Sequence, residues 1–298
     1  MTIGIDIGGT NIKGVLLSNN KVVAKVRILT KSKSNKKILV NQIFECVNKL
    51  IKNRKGVKKI GIGVAGPVDF KNQRVLNPAN VTALKGLYLG RLIKEKFTPY
   101  LGKGMGAVID NDVHALVLAE AILGAGKNKN LIAGLGLGTG VGGGIVINKK
   151  ILYGAGGTAG EIGHTTIEDN GRKCTCGARG CLEAYISERG IRETAKEVFG
   201  RKIDTISLFK MAKKGDKKAI KVWKIAGQYL GIGLANIVDE LNPDIIVIGG
   251  GIAGAGEFLL GPTKEQMKKN ILSPLAKNTK VVRAGLGDYA GAIGAALL

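Results

Sequence analysis

The sequence is poor in aromatic residues and has no long apolar segment. Phenylalanine, tyrosine and tryptophan make up 4% of the 298 residues, and the chain has one tryptophan. Nucleic-acid-binding proteins typically offer stacking aromatics or a helix-turn-helix, and neither pattern is present. A membrane-spanning helix needs about 20 consecutive apolar residues, and no run approaches that length. We therefore expect no membrane partner, no specific nucleic-acid partner and no signal peptide.

Acidic residues are outnumbered by basic ones. The chain has 22 Asp and Glu residues against 46 Lys and Arg residues, for a formal net charge of +24. The lysines are scattered through predicted helices and turns, for example in residues 213–224 and 264–280. Scattered basic residues are typical of solvated faces, and they attract anionic substrates such as nucleotides. With 45% hydrophobic residues, the composition indicates a soluble globular chain long enough for two lobes.

Cysteine and histidine are rare, yet most of them cluster. Cys174, Cys176 and Cys181 form the pattern C-x-C-G-x-x-G-C, and His164 lies ten residues before it. Three thiolates and an imidazole suit a tetrahedral Zn²⁺ site with no open position, which predicts a structural ion. A disulfide is the alternative, but a C-x-C bridge is strained and nothing indicates secretion. Free thiols favour the cytoplasm, and Cys46 is expected to be a buried helical thiol.

Two carboxylates flank this cluster along the chain, Glu161 before it and Glu183 after it. A bound metal ion would hold these two acceptors in fixed positions. Side chains that only accept hydrogen bonds suit the hydroxyl groups of a polyol or a sugar. The segment therefore predicts a sugar-binding site supported by a metal.

Two apolar strands are each interrupted by a glycine turn. The strand 2–7 ends in Gly8-Gly9-Thr10-Asn11, and the strand 131–137 ends in Gly138-Thr139-Gly140. This weak internal duplication predicts two related α/β lobes, each opening with a hairpin. Exposed backbone N–H groups in such turns can bind phosphate, although each turn alone could be a plain hairpin. Neither turn is a Walker A motif or a G-x-G-x-x-G fingerprint.

Two further stretches lie where a predicted strand ends. Asp110-Asn111-Asp112 joins a buried strand to the predicted helix 113–123. Asp112 would cap this helix, or it would act as a general base that the helix dipole keeps ionised. Gly249-Gly250-Gly251 follows the strand 245–248, where a base or ribose could approach the backbone, unless the glycines only form a packing turn.

These stretches together resemble the ROK family of sugar kinases. The resemblance spans almost the entire chain in family order, and the cysteine block is its most specific part. The matching residues are Asp6 to Thr10, Gly63 to Asp69, Asp110 to Asp112, Gly138 to Gly144, Gly160 to His164, the cysteine block to Glu183, and Gly249 to Gly251.

The resemblance implies an α/β fold of two actin-like (ribonuclease H-like) lobes with a cleft between them and a zinc-knot insertion. Residues 1–112 would form the first lobe, rejoined by a helix at about 288–298, and residues 113–287 the second. The nucleotide and the sugar would be held together when the lobes close. The family comparison also implies cytoplasmic homo-oligomers.

The implied reaction moves the γ-phosphoryl group of ATP, with Mg²⁺, to a hexose hydroxyl, most often at C6, with structural Zn²⁺ in the knot. Asp112 would be the general base, and His164 would bind zinc through one ring nitrogen and sugar through the other. The implied sugar contacts are Gly66, Asn80, Asn111, Glu161, His164 and Glu183. The implied nucleotide contacts are Asp6, Gly9, Thr10, Thr139, Gly250 and Gly251, with Asp6 near the metal-bound phosphates.

The sequence departs from the family pattern at two places. His114 stands where the family usually has asparagine, and Leu87-Tyr88 stand in a region where a tryptophan is common. The C-x-C form also differs from the knot of the fructokinase branch. Glucose is the leading substrate, with N-acetylglucosamine or N-acetylmannosamine as the alternative. A sugar-responsive regulator is less favoured, because the repressors of the family have an additional amino-terminal helix-turn-helix.

Overall fold

The computed structural model describes residues 1–52, 54, 56–78, 80–102 and 104–298. Their contacts divide the chain into two compact units. Unit 1 comprises Met1–Asn128, Lys149–Ala159 and Gly285–Leu298. Unit 2 comprises Lys129–Asn148 and Gly160–Ala284. Among the described helices, none is both long and apolar enough to cross a membrane.

Unit 1 is built on a five-stranded mixed sheet with the order β3-β2-β1-β4-β7. β1 pairs antiparallel with β2 and parallel with β4, and β4 pairs parallel with β7. The strands of unit 1 are β1 Thr2–Ile7, β2 Asn11–Ser18, β3 Lys21–Leu29, β4 Lys59–Val64, β5 Val68–Asp69, β6 Arg74–Val75, β7 Gly106–Asn111 and β10 Lys150–Ile151. The central strands are apolar runs because both of their faces are covered.

The helices of unit 1 are α1 Lys36–Ile51, α2 Leu89–Leu101, α3 Asp112–Leu123 and α9 Ala290–Leu297. The carboxyl-terminal α9 is rich in glycine and alanine, and it packs closely on both the sheet and α3. A Cβ at Gly61 would collide with the carbonyl oxygen of Ala295, and one at Gly294 with that of Ala115. The predicted lobe boundary near Asp112 therefore differs from the observed one, because the packing of α3 on α9 keeps α3 in unit 1.

Unit 2 has a related sheet in which β9, β8, β11 and β12 are neighbours in that order. β8 and β9 form an antiparallel hairpin, and β11 pairs parallel with β8. Both predicted glycine turns thus join the first two antiparallel strands of their unit. The strands of unit 2 are β8 Leu131–Leu137, β9 Val141–Ile147, β11 Ile245–Gly249 and β12 Lys280–Arg283.

The helices of unit 2 are α4 Glu183–Ile186, α5 Glu188–Phe199, α6 Thr205–Lys213, α7 Lys217–Leu241 and α8 Glu257–Asn270. The sequence predicts one helix from Glu183 past Arg192, and this is wrong. Ser187 is extended and breaks the run, and its side chain accepts a hydrogen bond from the backbone N–H of Gly190 as the cap of α5.

Candidate active site and metal centre

Asp112 is the first residue of α3, at the point where β7 ends. Of the two roles expected for Asp112, the helix cap is wrong, because Asn111 occupies the cap position. The Asn111 Oδ1 atom accepts hydrogen bonds from the backbone N–H groups of Val113, at 2.8 Å, and His114, at 3.2 Å. Asp112 Oδ1 also lies 3.0 Å from the Val113 N–H. The helix therefore keeps its cap without the Asp112 carboxylate.

Burial dominates the electrostatics of the two carboxylates at this end of the sheet. It raises the pKa of Asp112, and the hydrogen bond from the Val113 N–H opposes this only in part. The hydrogen bond at the start of α3 thus lowers the pKa of Asp112 less than burial raises it. Burial and the Asp112 charge raise the pKa of Asp6 to about 7, partly opposed by Lys13. A carboxylate with a raised pKa is a better proton acceptor.

Two backbone contacts connect other predicted site residues of unit 1. The Asn111 side-chain amide donates to the carbonyl oxygen of Gly66 at 3.1 Å, and Gly66 has a φ of 103°, which favours glycine. Gly9 lies against Asn80, since a Cβ at Gly9 would be 2.8 Å from the Asn80 Cβ. Thr10 is exposed in the turn between β1 and β2. Residues 66, 80 and 111 thus each lie in contact with another predicted site residue.

In unit 2, His164 and the three cysteines converge. His164 Nδ1 lies 3.6 Å from Cys174 Sγ, and Cys176 Sγ lies 3.7 Å from Cys181 Sγ. The four candidate ligand atoms are all within 4.8 Å of one another. A tetrahedral zinc with Zn–S bonds of about 2.3 Å separates two sulfurs by about 3.8 Å, so this cluster fits Zn²⁺.

The chain around the cluster is folded for a small ion. Gly177 and Gly180 have φ values of 98° and 72°, which let the backbone turn sharply between the ligands. Burial raises the pKa of Cys174, and it raises that of Cys181 to about 12. Both thiols therefore stay protonated unless a cation balances the thiolate charge. A divalent metal supplies that charge, which agrees with the donor set.

Glu183 lies directly beside this cluster. One of its carboxylate oxygens accepts a hydrogen bond from the Val141 N–H at 3.0 Å, and the other accepts one from the Thr175 hydroxyl. Cys174 Sγ is 3.7 Å from the second oxygen. The segment with the candidate metal ligands thus fixes a buried carboxylate next to the start of β9, immediately after the turn that contains Thr139.

The other predicted residues of unit 2 are more open. The Glu161 side chain is exposed, and its carbonyl oxygen accepts from the His164 N–H at 3.0 Å. Thr139 is exposed. Gly250 has a φ of 86° and packs against the backbone of Leu137, whereas a Cβ at Gly251 would meet no atom within 4 Å. The packing-turn interpretation therefore suits Gly250, while Gly251 leaves room for a ligand.

The comparisons with known proteins agree with this arrangement. The model of the ROK family matches residues 2–298. The chain belongs to the ROK family. A glucokinase of Thermotoga maritima is 33% identical, with 99% of this chain and 95% of the relative covered. An N-acetyl-D-glucosamine kinase of Photobacterium profundum is 32% identical over 100% of this chain and 99% of the relative. A xylose repressor of Bacillus subtilis is 30% identical over 98% of this chain and 75% of the relative.

Solved ROK structures share the whole fold. A ROK hexokinase from Thermus thermophilus has a TM-score of 0.84 and 31% identity, with 99% of this chain and 96% of the other covered. A ROK glucokinase from Streptomyces griseus, in complex with glucose and AMPPNP, has a TM-score of 0.83 and 29% identity, with coverages of 99% and 97%. The predicted actin-like α/β fold and the prediction of a ROK sugar kinase are therefore confirmed.

This ROK kinase also has a buried cluster that sequence reasoning missed. Asp110 Oδ1 lies 3.0 Å from His114 Nδ1, and the Tyr153 hydroxyl donates to Asp110 Oδ2 at 2.6 Å. The spacing of Asp110 and His114, four apart before and within a helix, is the one signal that could have suggested the pair. Tyr153 had no such signal, because its partner lies 43 residues away along the chain.

Proposed function

We propose that this ROK kinase transfers the γ-phosphoryl group of ATP to the C6 hydroxyl of glucose, with Asp112 as the general base. The observation that supports this most strongly is the position of Asp112. Its helix is capped by Asn111, so its carboxylate is available to accept a proton. Burial raises its pKa, which brings a carboxylate closer to the pH at which general bases work well.

For the sugar, we propose contacts with Asn111, Glu161, His164 and Glu183, with Gly66 and Asn80 nearby. His164 Nδ1 is directed to Cys174, so Nε2 would be the nitrogen that contacts a hydroxyl. The Glu183 Oε2 atom accepts one protein donor, the Val141 N–H, and has a further lone pair for a hydroxyl. The exposed Glu161 carboxylate offers two acceptor oxygens to adjacent hydroxyls.

For the nucleotide, we propose phosphate contacts at Gly9, Thr10 and Thr139 and adenosine contacts at Gly250 and Gly251. The open space at Gly251 supports close approach of a base or ribose. Asp6 would contact the hydration shell of a phosphate-bound Mg²⁺, and the cation would favour the ionised form of its carboxylate. The chemistry would come mainly from positioning and neutralisation of charge.

We also propose a structural zinc on His164, Cys174, Cys176 and Cys181. The donor set and the separations of the ligand atoms support zinc. The ion would stabilise the segment next to Glu183 and set the ring orientation of His164. We further propose a cytoplasmic homo-oligomer, which sedimentation analysis of the purified protein and localisation of a tagged chain would test.

The decisive experiment is the Asp112→Asn variant. The amide retains the shape of the side chain but cannot take the hydroxyl proton. Loss of a general base typically lowers kcat by about 10² to 10⁴, while the sugar KM should change far less. The matched control is Asp204→Asn, because Asp204 caps α6 through a 2.9 Å bond from Ser207 N–H and Asn caps equally well. A kcat within tenfold of the parent in folded Asp112→Asn protein would remove Asp112 from the mechanism.

The substrate is tested by a coupled phosphorylation assay over glucose, N-acetylglucosamine and N-acetylmannosamine. We expect the highest kcat/KM with glucose. The N-acetylhexosamines are the second candidates, because an N-acetyl-D-glucosamine kinase is about as similar to this chain as a glucokinase. The same assay with ATP, ADP and polyphosphate tests the phosphoryl donor. A higher kcat/KM with an N-acetylhexosamine would replace glucose in the proposal.

A further inference from the structure

A single buried carboxylate connects the strand–helix junction to a distant segment of unit 1. Asp110 is 2% exposed. Its Oδ1 atom accepts from the Asn111 N–H at 2.6 Å and lies 3.0 Å from His114 Nδ1. Asp110 Oδ1 is the acceptor of this pair, with the His114 Nδ1–H group assigned as the donor. Asp110 precedes Asn111 and Asp112 in the sequence and His114 follows them, so the bond between Asp110 and His114 spans both residues.

The second oxygen of Asp110 holds Tyr153. Burial and the Asp110 charge raise the pKa of the Tyr153 phenol, so its hydroxyl stays protonated and donates. The Tyr153 ring stacks on Phe70 with 4.2 Å between centroids and meets the His114 ring edge-on at 5.9 Å. Phe70 is also tight against Gly157, where a Cβ would lie 2.7 Å from the ring. The segment is therefore held by a hydrogen bond and by ring packing.

The segment that contains Tyr153 lies between two parts of the chain that belong to unit 2. Lys149–Ala159 belongs to unit 1, although the residues before and after it belong to unit 2. The segment ends directly before Gly160 and Glu161. Asp110 thus fixes, within unit 1, both the residues that flank Asp112 and the stretch of chain that leads to Glu161.

We propose that His114 and Tyr153 are positioning residues for phosphoryl transfer, which act through Asp110 on the orientation of Asn111 and Asp112. The proposal rests on the function proposed above for Asp112. Neither side chain needs to touch the substrate. Positioning matters here because a small displacement of a base from its productive geometry lowers the rate strongly.

The hydrogen bonds to Asp110 can be removed one at a time. Tyr153→Phe removes the hydroxyl and keeps the ring stacking. His114→Leu removes the nitrogen donor, whereas His114→Asn retains one, because the Asn Nδ2 atom is as many bonds from the backbone as the His Nδ1 atom. The control is Tyr100→Phe, since Tyr100 is 69% exposed in the same unit.

We expect Tyr153→Phe and His114→Leu each to lower kcat at saturating substrates by roughly tenfold, about the worth of one hydrogen bond to a charged group. The KM for ATP should stay within twofold, because the described hydrogen bonds of Asp110 and Tyr153 involve none of the proposed nucleotide residues. His114→Asn should recover most of the activity. The double variant should lose less than the product of the two single losses, because both residues act on Asp110.

Two measurements distinguish a positioning role of His114 and Tyr153 from a purely structural role. They also test this proposal separately from the role of Asp112 as the base. If Tyr153→Phe unfolds at lower urea concentration but retains kcat within twofold, the positioning role is overturned, while an inactive Asp112→Asn variant would still support the base. Hydrogen exchange needs no activity, and it should show faster exchange in Tyr153→Phe at both 110–116 and 153–159. Unchanged exchange at 110–116 would also overturn the proposal, even if His114→Leu fails to fold.

Discussion

Replacing Asp6 by asparagine tests how strongly burial controls the carboxylates of unit 1. Asp6 lies in β1 against the start of α9, where a Cβ at Gly291 would be 3.0 Å from its carboxyl carbon. Burial, and then the charge of Asp112, raise its pKa from 3.8 to about 7. Asparagine has nearly the same shape and stays neutral at every pH. The variant therefore removes the titration without opening a cavity.

The direction in which pH changes the stability follows from the ionisation of Asp6 in the folded and in the unfolded chain. Below pH 3.8 the carboxyl is protonated in both the folded and the unfolded chain, so it does not affect stability. As the pH rises towards 7, only the unfolded chain ionises, and the native state loses stability. A shift of about 3 pKa units at 1.36 kcal/mol each corresponds to a loss of about 4 kcal/mol. Of this, roughly 2 to 3 kcal/mol falls between about pH 5 and pH 8.

The assay is urea unfolding of ligand-free parent and Asp6→Asn protein at several pH values. The gain of the variant over the parent should be larger at about pH 8 than at about pH 5, by roughly 2 to 3 kcal/mol. The control is Asp69→Asn. Hydrogen bonds from Asn72 lower the pKa of Asp69, so its stabilisation is lost only as the pH falls below 3.8 and should be constant over the tested range. An Asp6→Asn difference that does not change with pH would refute the reasoning.

Two further predictions concern the metal and the packing. Metal analysis should find one zinc per chain, Cys181→Ser should lose it and unfold at lower temperature, and the buried Cys46→Ser should retain it. Full zinc content in Cys181→Ser would contradict the assigned ligands. Gly294→Ala should destabilise by about 3 kcal/mol, because the new methyl group would collide with the Ala115 carbonyl. Gly104→Ala, where the added methyl meets open space, is the control in thermal unfolding, and equal midpoints would contradict the close packing.

The elements of this protein that depend on local spacing could be predicted from sequence. The run of Cys174, Cys176 and Cys181 with its two glycines predicts a tight turn around an ion, and the four candidate ligands do converge. The glycine turns after β1 and β8 were also predictable, because an apolar run that stops at glycines and resumes indicates a hairpin. Such patterns act over a few residues, and the sequence shows them directly.

The residue that caps α3 was less predictable, because three neighbouring residues are all suited to the cap position. Asp110, Asn111 and Asp112 are all good capping residues, and the sequence does not say at which of them the strand stops. The pairing of β7 with β4 continues to Asn111, so the cap falls there. The break at Ser187 has a different cause: the helical pattern of the sequence continues across this residue, and only the packed chain shows the turn.

By itself, then, the sequence determined the glycine turns, the segment with the candidate metal ligands and the family, because each depends on residues and their spacing along the chain. Only the tertiary structure decided which carboxylates are desolvated and what they touch. The Asp112 charge raises the pKa of Asp6 from a separate element, and Tyr153 reaches Asp110 from 43 residues away. Desolvation and long-range hydrogen bonds depend on the complete packing of unit 1, and no local pattern records that packing.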